Sequence, residues 1–337
     1  MNDLERERFW NTICSLDGID VREDSKKLQE TIIYPKKIYR YRPISVRSLE
    51  TLKNNKLYFS TANYYDDPFD TFINVRIKEI RSILAVIQNA DSFDLVKIIT
   101  ILAKEFGGIE LNQNTAQTIV KQIKEPTMIQ QNIDVLENYF RNIRNEIKKE
   151  TLSVCFSESP LNETLWLKYG DQHKGFSVEY DLYDDNKMLC GKQENCKNCG
   201  VNIMGLSLYP IYYSDEMYDA TKFAQFLAAC KQFGNNLPNE IYKKLQELFG
   251  NQVWEREKIT LIKKTCHKYD EEWRMIINGS ISSPFFYKWI PSAIYLGLNM
   301  ESSEMYFISD IAKNAGIENI YKCIITDEGR LDAVLVN

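Results

Sequence analysis

Thr151–Ser157 reads TLSVCFS, Glu163–Tyr169 reads ETLWLKY and Gly175–Tyr180 reads GFSVEY. The first and third stretches are short and rich in β-branched and aromatic residues, so they read as strands; the middle one reads as a helix. The same mixture continues outward. Downstream, strands are expected over 205–213, 271–277, 284–289, 292–296, 320–326 and 331–335. A helical stretch over about 216–264, broken near Gly234 and Pro238, and a helix over 301–315 lie among them. Upstream, IYRYRP (Ile38–Pro43) and KLYFS (Lys56–Ser60) read as strands around a helix that Ser45 caps and that runs to about Lys53. Strands and helices intermix without the regular alternation of parallel βαβ units. The fold class is therefore α+β, with a mixed, mostly antiparallel sheet as its core.

Between these blocks the periodicity changes. From about Ile77 to Lys149 apolar residues recur at three and four (Ile80, Ile83, Leu84, Ile87; then Leu95, Ile98, Ile99, Leu102), which predicts three to five helices punctuated by Gly107–Gly108 and Pro126. The expected organisation is one α+β domain. Its core is 37–76 with 151–335, a helical insertion covers 77–149, and short helices cover 1–36.

The chain has 337 residues, 44% hydrophobic and 26% charged, with 20 Tyr, 16 Phe and 5 Trp; this is the composition of a packed globule, not of a disordered chain. The 42 basic and 47 acidic residues give a net charge of −5, and no basic stripe dominates, so the electrostatic footprint of a nucleic-acid binder is missing. Nucleic acid stays possible as a substrate held at one site. Runs such as ILAVI are too short to span a bilayer, and the charged MNDLERERFW opening has no signal-peptide core. The expected location is the cytoplasm, with no membrane partner.

The two histidines stand beside clear strand signals: His173 in YGDQHKGFSVEY (Tyr169–Tyr180) and His267 just before YDEEWRMII (Tyr269–Ile277). Histidine suits proton transfer near neutral pH, and also serves as a structural donor. Gly175 suggests a close backbone approach, at a ligand or at a strand start. Period-two alternation puts Arg40 and Arg42 on one strand face, where paired guanidiniums can fork onto a phosphate or a carboxylate. If a strand begins at Asp270, then Asp270, Glu272 and Arg274 share a face, while Trp273, Met275 and Ile277 pack on the other. That face is an ion pair or a carboxylate held ready for catalysis. Asp66, Asp67 and Asp70 crowd a turn that Pro68 stiffens, and turn-capping is the natural role for Asp67. Cys190, Cys196 and Cys199 form a C-x5-C-x2-C cluster like a zinc knuckle. A structural zinc would need a fourth ligand, for which Cys230, Cys266 and His267 are candidates. No Walker loop, Rossmann glycine pattern, HExxH or GxSxG motif is present.

IYRYRP…LKNNKLYFSTANYYDDPFD, CFSESPLNETLWLKYGDQHKGFSVEY and YDEEWRMII together resemble, in order, three blocks of the domain-of-unknown-function family 2971. Asp66 stands where the family has Asn, and Leu165–Trp166 where it has Met-Trp. Some relatives carry abortive-infection or phage-resistance labels, so the resemblance implies a bacterial defence or toxin-like role. The order of parts is also that of ADP-ribosyltransferase-like enzymes. This analogy implies NAD as substrate, Glu272 as the catalytic carboxylate with His173 beside it, and Tyr41, Arg42, Ser157, Tyr169 and Arg274 as dinucleotide-binding residues; the modified target would be a protein or a nucleic acid. Two other readings stay open: a metal-dependent nuclease or phosphodiesterase built from Asp66, Asp70, His173 and Glu272, and a non-enzymatic sensor whose insertion docks a partner.

Overall fold

A computed structural model describes residues 1–79, 81, 89–183, 188–189, 207–232, 238–278 and 285–336. The chain divides into two compact units. One comprises Met1–Phe72, Lys148–Met217 and Arg256–Asn337; the other comprises Ile73–Ile147 and Tyr218–Glu255.

The first unit is built on strands β1 (Lys37–Arg42), β2 (Lys56–Tyr58), β3 (Ser60–Thr61), β4 (Thr151–Ser157), β5 (Phe176–Asp181), β6 (Met188–Leu189), β7 (Leu208–Pro210), β8 (Tyr212–Tyr213), β9 (Ile262–Lys263), β10 (Glu272–Asn278), β11 (Phe286–Trp289), β12 (Ala293–Leu296), β13 (Asn319–Ile325) and β14 (Leu331–Leu335). The main sheet runs β14-β13-β12-β5-β1-β4-β10-β7, with β3 added on β4. Every pairing in it is antiparallel except β12 with β13. The fold is mixed, with a mostly antiparallel open sheet. The helix expected after β1 is present as Val46–Lys53: Ser45 accepts from Ser48 N at 3.1 Å, and the Ser48 hydroxyl accepts from Ser45 N at 2.9 Å, satisfying two amides at once.

One pairing differs from its neighbours. β1 meets β5 along six registered pairs and β4 meets β10 along seven, but β1 meets β4 at the single pair Tyr39↔Ser157. Two well-knit halves therefore share one registered pair, and the sheet opens between β1 and β4. Trp166, Trp273 and Trp289 are fully buried and anchor the packing. Tyr39, Tyr41, Leu165, Trp166 and Tyr295 form one cluster, in which Tyr41 meets Trp166 edge-on at 5.1 Å. Gly175 sits at the start of β5, and a Cβ there would collide with the Arg42 carbonyl oxygen; of the two roles its sequence suggested, it has the strand-start one.

The second unit is helical: Ser92–Gly107, Gln113–Lys124, most of Pro126–Glu150, Thr221–Gln232 and Asn239–Phe249. Its core includes Ala116, Val120, Phe140, Ile143, Phe223, Phe226 and Leu245. The expected helical stretch 216–264 ends earlier, because Leu261 and Ile262 are buried and β9 pairs with β8. Among the described residues, no helix is long and apolar enough to cross a membrane.

Candidate functional site

The gap between β1 and β4 is a cleft of about 320 Å³. β1 supplies Tyr39, Arg40, Tyr41 and Arg42, and β4 and β10 supply Ser153, Cys155, Ser157, Glu272 and Arg274. The Asn63–Asp70 turn adds Tyr64, Tyr65, Asp66, Asp67 and Asp70. Lys263, His267 and Asp270 close the floor, and Tyr169 stands at the side.

The alternation of β10 places Glu272 and Arg274 on the cleft side and leaves Trp273 and Met275, both fully buried, for the opposite face. Arg274 is itself fully buried. Its fork takes both oxygens of Asp70 (Nη1–Oδ1 2.8 Å, Nη2–Oδ2 2.9 Å), and its Nε and Nη2 reach Glu272 Oε1 at 2.9 and 2.6 Å. Nη1 also donates to the Thr260 carbonyl at 2.7 Å. The other oxygen of Glu272 accepts from Lys263 Nζ at 2.7 Å, and the same ammonium lies 3.2 Å from Asp270 Oδ2 and 3.7 Å from Asp70 Oδ2. Three carboxylates thus converge on two cations. Such a buried network holds only because almost every charge meets an opposite one.

The electrostatics follow from this geometry. Burial alone would raise the Glu272 carboxyl, but Arg274 and Lys263 hold it well below the usual carboxylate range. Burial works against the charged form of Lys263, yet Glu272 and Asp70 keep it well above the ordinary lysine range. Asp270 goes the other way: burial, reinforced by Glu272, raises its carboxyl against the pull of Lys263. Asp270 Oδ1 is buried without a hydrogen-bond partner, as is the Ser157 hydroxyl.

The β1 wall is different. Arg40 has one long contact, to the Tyr58 carbonyl at 3.4 Å. Among the described residues no carboxylate pairs with Arg40 or Arg42, and the nearby groups that influence them are tyrosines, Cys155 and other arginines. Burial and the neighbouring Arg40 lower Arg42 to about 9, so it is still a cation at neutral pH.

Of the residues singled out from sequence, Tyr41, Arg42, Ser157, Tyr169, Glu272 and Arg274 all line this cleft. His173 does not. It lies in a turn where Asp171, Gln172 and His173 all have positive φ, and its ring stacks on Trp166 at 5.7 Å. The histidine in the cleft is His267, whose Nε2 is 3.2 Å from Asp67 Oδ2 and whose Nδ1 is 3.8 Å from Asp270 Oδ2. Asp67 also caps its turn by accepting from Phe69 N at 2.8 Å. Tyr41 presents its ring to the cleft, while its hydroxyl donates to the Ser159 carbonyl at 2.7 Å and accepts from Asn162 N at 3.0 Å. Asp270 is not on the strand. It ends a 3-10 turn (Thr265–Asp270), and Glu271, at φ 46°, turns the chain into β10. Cys190, Cys196 and Cys199 lie outside the described residues, and among the described residues no group of three potential metal ligands forms.

Residues 165–275 match the family model described as "Protein of unknown function (DUF2971)". This segment belongs to the DUF2971 family. The match takes in Tyr169, Lys263, His267, Asp270, Glu272 and Arg274, and so covers part of the acidic wall of the cleft; β1, β4 and Asp70 lie outside it. No curated protein and no solved structure matches the chain.

Proposed function

We propose that the cleft binds a dinucleotide of the NAD class and breaks its N-glycosidic bond, an ADP-ribosyltransferase-like or NAD-consuming reaction. One observation carries this reading: among the described residues, two guanidiniums that lack carboxylate partners line the same cleft as a cluster of carboxylates, where the sheet opens. Two forked cations suit a pyrophosphate. Tyr64 and Tyr169, both exposed at the cleft, offer faces for a planar ring. Carboxylates on the far wall suit the positive charge that develops on a ribosyl centre as its base departs. A cytoplasmic enzyme that consumes a shared dinucleotide would act as the defence or toxin-like effector that the resemblance implies, with a protein or nucleic-acid acceptor, or water, taking the ribosyl group.

The metal-dependent phosphodiesterase reading has less support. The Lys263 ammonium sits among Asp70, Asp270 and Glu272, the position that a divalent cation would need. The test is nicotinamide release from NAD⁺ by the full chain, with and without EDTA, beside Arg42→Ala. Release that survives EDTA and is lost in the variant supports the proposal. Release that needs a divalent ion, or that Arg42→Ala leaves intact, overturns it.

A further inference from the structure

We infer that Asp270, together with Ser157, is the pair that meets the sugar of the bound nucleotide, and that Glu272 is a positioning residue that does not touch it. This rests on the dinucleotide reading above. Both oxygens of Glu272 are engaged by cations: Oε1 takes two donors from Arg274 and Oε2 takes Lys263. Both oxygens of Asp70 are engaged too, by the two arms of Arg274 and, at Oδ1, by the Thr71 hydroxyl at 3.0 Å. A carboxylate oxygen in this state has little left to offer a ligand hydroxyl, and losing either cation would leave a buried charge unpaired.

Asp270 is the exception. Its Oδ2 faces Lys263, but its Oδ1 has no partner, although the residue is only 5% exposed. Ser157, 2% exposed, likewise has an unpartnered hydroxyl. Both line the same cleft as Arg40 and Arg42. Buried polar atoms are rarely left without partners unless a ligand or water completes them. One pure acceptor and one hydroxyl, both able to engage O–H groups, match the two neighbouring hydroxyls of a ribose. In the reaction, the C1′–N bond breaks and its electron pair leaves with the pyridinium nitrogen. The positive charge passes to C1′ and the ring oxygen, beside Asp270 Oδ1. A water or acceptor hydroxyl oxygen then bonds to C1′ and releases its proton to bulk water. Glu272 contributes by fixing Lys263, which in turn holds Asp270 Oδ2 and leaves Oδ1 free. The charged or titratable groups that bear on Asp270 are Lys263, Glu272, Lys168 and His267.

The experiment compares two probes, inorganic pyrophosphate and ADP-ribose, on the full chain. Pyrophosphate reads the arginine wall alone. ADP-ribose adds the sugar. The advantage of ADP-ribose over pyrophosphate is expected to fall about tenfold or more in Asp270→Asn and in Ser157→Ala, as for the loss of a hydrogen bond to a buried charged or polar group, with pyrophosphate affinity unchanged. Glu272→Gln, checked for folding by circular dichroism, is expected to raise KM and lower kcat together and to move the acid limb of the rate profile, because its effect passes through Asp270. Should Asp270→Asn not fold, Ser157→Ala decides alone. Unchanged ADP-ribose affinity in the variants, with pyrophosphate still bound through Arg42, overturns this inference and leaves the dinucleotide reading standing. Failure of the wild type to bind pyrophosphate overturns both.

Discussion

The two walls of the cleft use the same residue types to opposite ends. On β1, Arg40 and Arg42 project from alternate positions and, among the described residues, pair with no carboxylate; on β10 and β9, Arg274 and Lys263 are enclosed by Asp70, Asp270 and Glu272. A guanidinium is the same group in both places. What differs is whether the chain itself supplies the counter-ion. Where it does, the arginine belongs to the structure; where it does not, the position of the anion is left for a ligand.

The sharpest way to break the comparison is to remove one arginine from each wall and measure stability by denaturant unfolding. Arg274→Ala leaves Asp70 and Glu272 with only Lys263 and is expected to cost about 3–5 kcal/mol, as for one partner lost from a buried pair. Arg42→Ala removes a cation that burial and Arg40 already disfavour, and is expected to stay within about 1 kcal/mol of the wild type while pyrophosphate binding is lost. Equal costs at the two positions would erase the distinction between the walls.

Much of the acidic wall could be read from sequence, because period-two alternation alone puts Glu272 and Arg274 on one face and Trp273 on the other. An ion pair between the two was one of the readings that alternation left open. The third member could not be read: Asp70 is 204 residues from Arg274 and meets it only through the fold. Lys263 was hidden for another reason. Its segment continues an apolar helical pattern, and its place on β9 depends on pairing with β8, a tertiary choice that overrides local periodicity. His173 showed the opposite failure. A histidine beside a strand looked chemical, but three successive positive-φ residues turn its ring onto Trp166, and nothing in the residue types announces that turn. The split in the sheet was equally silent, since it is a pairing of β1 with β4 cut to one registered pair and leaves no mark on either strand alone.

The comparison sharpens within the acidic wall when pH is varied. Glu272 has a folded value below its unfolded one, near about 4.3 for an unperturbed glutamate, so it contributes stability at neutral pH that is lost as pH falls below that value. Glu272→Gln is therefore expected to destabilise the chain at pH 7, with the difference from wild type shrinking towards pH 3. Asp270 is raised and has the reverse sign: its ionisation opposes folding, and the penalty is absent at low pH, where the carboxyl is protonated in both states. Asp270→Asn is expected to raise the midpoint of thermal unfolding at pH 7 and to make no difference near pH 3. A carboxylate that costs stability yet is retained in a cleft is the signature of a group kept for binding or chemistry. A destabilising Asp270→Asn at pH 7 would put Asp270 with Glu272 as a structural anion.

The smallest effect probes the ground between the walls. Cys155 stands on β4 in the cleft; burial pushes its thiol up to about 12, Glu272 adds to the rise, and Arg274 and Lys263 only partly oppose it. At pH 8 such a group is a thiolate in roughly one molecule in ten thousand, against about a quarter for an unperturbed cysteine, and the thiolate is the species that alkylates. Iodoacetamide at pH 8 should therefore label the exposed Cys14 and Cys266 well before Cys155, with mass spectrometry of peptides giving the order. If the β1 guanidiniums governed the potential at β4, the thiolate would be favoured and Cys155 would react early despite its burial. Slow labelling means that burial and Glu272 outweigh the cations around Cys155, so that β4 belongs electrostatically with the carboxylates and not with the arginines of β1.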